Sequence, residues 1–239
     1  MVNQKTKINF FPINLNIPDN LFPKPASLCL PDWYKKQESY NFKDKKVING
    51  VVAMPTIKKC MPVFDSITFG YIVFSTTDIY VSQKNGFPYF NWPTNSLNID
   101  MVSFHQNDQF FEYPKFKDLP SLPKFSNPWI IETPKGYSCF IISPVHRELP
   151  FEILPAVVDT DSYGGTVDFP FYLKDPNWEG LIPSGTPIAQ VIPFKREDWK
   201  MSVIFKKNIT EKILKFEFLI NLHFFNRYKK LFWKKKNFN

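Results

Sequence analysis

The run Ala156-Val157-Val158-Asp159-Thr160-Asp161-Ser162-Tyr163-Gly164-Gly165-Thr166-Val167 sets two carboxylates one residue apart, followed by a tyrosine and a glycine pair. Acids at that spacing can do one of two jobs. An ionised carboxylate beside a bound substrate can take a proton from an attacking water, and Asp159 is the catalytic candidate for such general-base work. Alternatively both acids accept hydrogen bonds from backbone N–H groups of the turn they sit on. Asp161 and Tyr163 are candidate ligand-binding residues on the same run. Arg147, able to answer an anion, and Gln190, a polar residue inside the apolar stretch Ile188–Ile192, complete the candidate set. A separate constellation lies near the C-terminus. There Arg227, Lys229, Lys230, Lys234, Lys235 and Lys236 interleave with Tyr228, Phe232 and Trp233. Basic residues among aromatics suit a polyanion or an acidic membrane surface. Lysines at a helix end also simply favour the helix dipole.

Metal and thiol chemistry find no pattern. His105, His146 and His223 stand apart, and Cys29, Cys60 and Cys139 form no closely spaced pair. Neither a metal site, a resident cofactor nor a disulfide is expected. Magnesium would enter only with a bound nucleoside triphosphate. The net charge of +8 is concentrated in the C-terminal segment, which leaves the body of the chain near balance and argues against a broad nucleic-acid surface. No apolar run reaches the roughly 18 residues of a membrane-spanning helix. The N-terminal residues carry no apolar stretch of signal-peptide type, and a cytoplasmic chain is expected.

The elements that must position these residues read as mainly β. Twenty-two prolines against 8 glycines disfavour long helices and favour short strands with stiff connections. Residues 1–50 read as an irregular, Pro-rich lead-in with one strand near Ile8–Phe10, residues 51–200 as the β-rich core, and residues 201–239 as a basic helix and tail. Strands are expected at Phe64–Ile67, Gly70–Phe74, Asp78–Val81, Met101–His105, Trp129–Ile131, Tyr137–Ile142, Phe151–Val158, Thr166–Leu173, Gly180–Ile182 and Ile188–Ile192. Asn85-Gly86 signals a hairpin turn. From Ile209 to Phe232 the apolar residues recur at three- and four-residue intervals, which predicts a helix. Its stripe of Ile213, Phe216, Leu219, Ile220 and Phe224 should pack on the β body or on a second subunit, with Tyr228–Asn239 projecting.

The acidic run resembles the dUTPase signature G-V-I-D-x-D-Y-x-G-x-V, with one extra residue before the tyrosine. Ile182-Pro183-Ser184-Gly185-Thr186-Pro187-Ile188-Ala189-Gln190-Val191 resembles the next motif of those enzymes, K-G-D-R-I-A-Q-L. Thr133-Pro134-Lys135-Gly136-Tyr137 through Ser143-Pro144 sits where they carry P-x-G-Y-x-x-x-x-x-P-R-S, and Gly70-Tyr71-Ile72-Val73 resembles their G-Y-D-L. The resemblance implies a β-clip of dUTPase or dCTP-deaminase type, a barrel-like antiparallel unit. It assigns the positioning of the attacking water to Asp159 and packing under a deoxyribose to Tyr163. The phosphate-binding P-R-S is replaced by Pro144-Val145-His146, with Arg147 two residues late, and no glycine follows Gly185. Ordinary dUTPase turnover is therefore not expected. The whole chain is also similar to an uncharacterised phage and bacterial family that shares W-Y-K-K, T-I-K-K-C and I-P-F-K-R-E-x-W-K. Two readings follow. One is a β-clip that retains a nucleotide or small-molecule site, in the host cytoplasm if phage-encoded. The other is a non-enzymatic structural or accessory protein of phage origin that acts through assembly, with a homo-oligomer as one form.

Overall fold

The computed structural model describes residues 6–41, 54–93, 99–113, 116, 119–205, 209–221 and 227–239. In chain order the strands begin with β1 (Asn9–Pro12), β2 (Lys24–Pro25), β3 (Tyr40–Asn41), β4 (Met54–Pro55), β5 (Tyr71–Phe74), β6 (Ile79–Lys84) and β7 (Phe87–Asn91). They continue with β8 (Val102–Gln106), β9 (Ser121–Phe125), β10 (Trp129–Glu132), β11 (Tyr137–Ile142), β12 (Phe151–Ile153), β13 (Ala156–Val158), β14 (Phe169–Leu173), β15 (Gly180–Ile182) and β16 (Pro187–Lys195). The α-helices are α1 (Asp32–Lys36), α2 (Met61–Thr68), α3 (Ile209–Asn221) and α4 (Arg227–Leu231). The fold is mainly antiparallel β with few helices, α1 and α2 in the first third of the chain and α3 and α4 near its C-terminus. The chain divides into two compact units, one of Met1–Cys29, Thr68–Arg196 and Phe238, the other of Leu30–Ile67, Glu197–Asn237 and Asn239.

In the first unit the strands pair in the orders β13-β11-β16-β5-β2, β12-β14-β9-β8, β15-β6-β7 and β1-β10. Alternation explains which faces turn inward. Phe169, Phe171 and Leu173 on β14 are buried while Pro170 and Tyr172 between them are not. Trp129, Phe125, Phe151, Phe169 and Phe171 fill the core, with the Phe125 and Phe171 rings stacked at 3.8 Å. Burying side chains of this size is worth about 1.5–3 kcal/mol each. Asn85-Gly86 forms the expected turn between β6 and β7. No helix interrupts the strands β14, β15 and β16, as expected for this stretch.

Several elements depart from the sequence reading. Phe64–Ile67 is part of helix α2 rather than a strand. Met61, Phe64 and Ile67 lie three apart, which follows a helix face, and Pro62 sits in the first turn where its missing N–H costs nothing. Phe151–Val158 is two strands, because Pro155 falls between them and cannot continue a ladder. Thr166 makes only an isolated bridge to Ile130, and the regular strand starts at Phe169. The Asn- and Pro-rich stretch 91–128 holds a second strand, β9, beyond the expected one at β8. The single helix expected over Ile209–Phe232 is α3 and α4, with residues 222–226, and so His223 and Phe224, outside the described residues.

In the second unit β3 pairs with β4, and α1 places Tyr34 beside Phe64 of α2. The end of the chain does not project freely. Trp233 donates its indole N–H to the Asp65 carboxylate of α2 at 2.9 Å, and the Lys236 ammonium reaches the same carboxylate at 2.6 Å.

Gly70 leads into β5 with φ of +77°, and a Cβ there would stand 2.2 Å from the Val191 carbonyl oxygen of β16. Both the backbone conformation and the close approach of the two strands need glycine. Gly70→Ala should cost on the order of 2–4 kcal/mol in a urea unfolding experiment. A change within about 0.5 kcal/mol would mean that the β5–β16 contact is looser than described.

Candidate functional site

The acidic run lies where three segments of the first unit meet. β11 is flanked by β13 on one side and β16 on the other. After β13 the chain turns sharply, and the N–H groups of Ser162 and Tyr163 both donate to the Asp159 carbonyl at 3.1 and 2.9 Å. That turn sends the Asp161 carboxylate back toward the loop before β11. The loop is itself a tight turn, Pro134 to Tyr137, in which Gly136 takes a φ of +87°. This conformation aims the Gly136 N–H at Asp161 Oδ2, 2.8 Å away, while the Gly136 carbonyl accepts from the Arg196 N–H at 2.8 Å. Below it a buried chain links Thr133 Oγ1 to Thr160 Oγ1 at 2.7 Å, and Thr160 Oγ1 donates to Cys139 Sγ at 3.3 Å.

Arg196, one residue beyond the end of β16, completes the arrangement. Its guanidinium spans the Asp161 carboxylate, with Nη1 at 3.0 Å from Oδ1 and Nη2 on Oδ2. Nη1 also lies 3.1 Å from Asp159 Oδ1, 2.9 Å from Ser138 Oγ and 3.0 Å from the Tyr137 carbonyl oxygen. The Ser138 hydroxyl donates to Asp159 Oδ1 at 2.7 Å. The Asp161 side chain is only 5% exposed, so its charge depends on these donors. The Arg196 hydrogen bonds, then the Gly136 N–H, hold its carboxyl down to about 2. Asp161 in turn raises the Arg196 guanidinium above its ordinary value. The bidentate fork is the strong form of this pairing.

Such an arrangement clamps Asp161 between Arg196 and the Gly136 N–H. Asp161 meets a fixed cation and a backbone donor, whereas Asp159, with a 64% exposed side chain, takes its two donors on Oδ1. The donor set does not fit magnesium. Both Asp161 oxygens are engaged by Arg196, and among the described residues no group of three or more His, Cys, Asp or Glu could hold a metal.

The other sequence candidates are dispersed. Tyr163 is half exposed, its ring lies against Gly165, and its hydroxyl points to the Thr166 carbonyl at 3.4 Å. Gln190 is buried in β16, where it accepts from the Val145 N–H at 3.1 Å and donates to the Phe69 carbonyl at 2.7 Å. Six residues of extended strand, about 20 Å, separate it from Arg196. Arg147 donates to the Cys29 carbonyl at that far end. Arg147 and Gln190 therefore do not join Asp159 and Asp161. In the second unit Lys230, Lys234 and Lys235 are exposed. Lys229 and Lys236 hold their ammonium groups 5.8 and 6.0 Å from the Trp233 ring centre, so part of the polyanion candidate set packs on its own chain. The side chain of Arg227 lies outside the described residues. Arg196 was missed by sequence reasoning. It stands in I-P-F-K-R-E directly after β16, and nothing local in that run links it to Asp161.

No protein-family model and no curated protein matches the chain. Solved structures do. A mutant dUTPase from phage phi11 of S. aureus aligns over 58% of this chain and 84% of its own, at 11% identity and a TM-score of 0.31. A mutant dUTPase of Staphylococcus bacteriophage 80alpha, in a structure with dUpNHpp, aligns over 57% and 76% at 12% identity, also with a TM-score of 0.31.

The clamp has a pH signature. Asp161 titrates at about 2 in the folded chain against an ordinary value of 3.8. Its contribution to stability is complete above the ordinary value and is lost as pH falls toward about 2. Denaturant unfolding of wild type and Asp161→Asn between about pH 6 and pH 2 should show the wild-type curve falling toward the variant's across the low end of that range. Parallel curves would mean that the carboxylate draws nothing from Arg196.

Proposed function

We propose that the chain works by self-association rather than by hydrolysis. The observation that carries this reading is the segment 199–218 of the second unit. Trp199 is 87% exposed, Met201 87% and Phe205 95%, with Val203 and Ile204 close behind. These residues lie outside any helix or strand. Helix α3 follows with Ile213, Leu214, Phe216 and Phe218 all exposed. Exposed apolar side chains in such number mark an interaction site. Burial of each large side chain is worth about 1.5–3 kcal/mol, enough in sum to offset the cost of association.

The clamp supports the same reading from the other side. The acids that would activate water are held by Arg196, and the arginine and glutamine that would meet a nucleotide lie at the far end of the sheet. The residues lining a cavity of about 480 Å³ in the first unit include none of Asp159, Asp161 and Tyr163. Among the described residues, no helix is long and apolar enough to cross a membrane.

Light scattering coupled to size-exclusion chromatography should give a mass above that of one chain, 28.2 kDa. The double variant Trp199→Ser, Phe205→Ser should shift it toward the monomer with little change in Tm. A wild-type monomer at every concentration tested would remove the proposal. Incubation with dUTP and magnesium should release no pyrophosphate at enzyme-like rates. Robust release that Asp159→Asn abolishes would restore the hydrolase reading.

A further inference from the structure

The large cavity of the first unit, about 480 Å³, lies within the size range of small-molecule sites. Strand register explains why it exists. β14 pairs with β9 through two residues only, Phe169 opposite Phe125 and Pro170 opposite Lys124. Beyond them β9 stays on β8 as far as Ser121, and β14 stays on β12 as far as Leu173. Pro123 has no N–H to extend a ladder toward β14. The two strands separate, and the cavity opens beside their unpaired ends.

Its lining is apolar and aromatic, with Phe87, Phe104, Pro123 and Tyr172 prominent. Two charges stand out against it. Glu152 on β12 is the cross-strand partner of Tyr172, and Lys174 follows Tyr172 by two residues. Residues two apart on a strand face the same way, so the carboxylate and the ammonium are diagonal neighbours on one side of the cavity. Both are exposed, and neither side chain is ion-paired or hydrogen-bonded among the described residues.

We propose that this cavity binds an apolar α-amino acid as its zwitterion, the side chain among the aromatic rings, the ammonium on Glu152 and the carboxylate on Lys174. Charge complementarity selects this class. A lone anion would meet Glu152 as well as Lys174, and a lone cation the reverse. A neutral apolar molecule would fill the cavity but gain nothing from either charge. A ligand with both charges on adjacent atoms of one head, attached to a large apolar group, satisfies the pair and the cavity together. The site is independent of the clamp and of the segment 199–218.

Calorimetric titration of the full chain with L-phenylalanine, L-tryptophan and L-leucine tests the assignment. Saturable binding of at least one is expected. N-acetyl-L-phenylalanine amide, which keeps the ring and loses both charges, and glycine, which keeps both charges and loses the side chain, should each bind at least about tenfold more weakly. Glu152→Gln and Lys174→Met should each weaken the best ligand by about tenfold with Tm unchanged, since both side chains are exposed. The proposal is overturned if none of the three amino acids binds. Equal affinity for the neutral amide would also overturn it by reducing the site to a hydrophobic hole. The comparison of ligands on the wild-type chain holds even if a variant folds poorly.

Discussion

The first unit depends on one guanidinium laid across two aspartates. Arg196 ends the longest strand of the fold, Asp161 follows the edge strand β13, and Gly136 precedes β11, which runs between them. The ion pair and the Gly136 hydrogen bonds tie these three chain segments at a single point. A paired charge of this kind is weak as a source of net stability, because desolvation offsets much of the attraction. Its stronger effect is on arrangement. With Asp161 only 5% exposed, any register that moved Arg196 away would leave a carboxylate with little water and one backbone donor.

The same constraint decides what the acidic run can do. Identical residue types at identical spacing would serve a water-activating site if a carboxylate were left free at the edge of a cavity. Here the cation that the sequence seemed to lack is supplied by the strand end, and it neutralises the acids instead of a ligand. Gln190 and Arg147 hold backbone groups about 20 Å away at the other end of the sheet. The two binding places proposed above lie apart from the acidic run, one in the gap where β9 and β14 separate and the other in the exposed apolar residues after Glu197.

Much of the β architecture was legible because its signals are local. Phe169, Phe171 and Leu173 alternate with Pro170 and Tyr172, Asn85-Gly86 demands a tight turn, and Pro183 directly follows β15. The α2 segment was misread because its three-residue spacing covers barely two turns, too short to separate from a strand by pattern. Pairing across long sequence distance was not legible at all. Arg196 meets Asp161 across 35 positions and Trp233 meets Asp65 across 168, and no local pattern encodes either. Gln190 was a ligand-binding candidate with backbone partners as the alternative, and its side chain meets the Val145 N–H and the Phe69 carbonyl.

The central claim is that the paired acids form a structural clamp closed by Arg196. Carbon-detected NMR titration of the aspartate side-chain carboxyls measures this directly in the intact chain. The clamp requires the Asp161 carboxyl to remain ionised down to about pH 2 in wild type and to move up toward its ordinary value in Arg196→Met. An Asp161 that titrates near 3.8 or above in wild type, unmoved by loss of Arg196, would contradict the clamp and return the acidic run to catalysis.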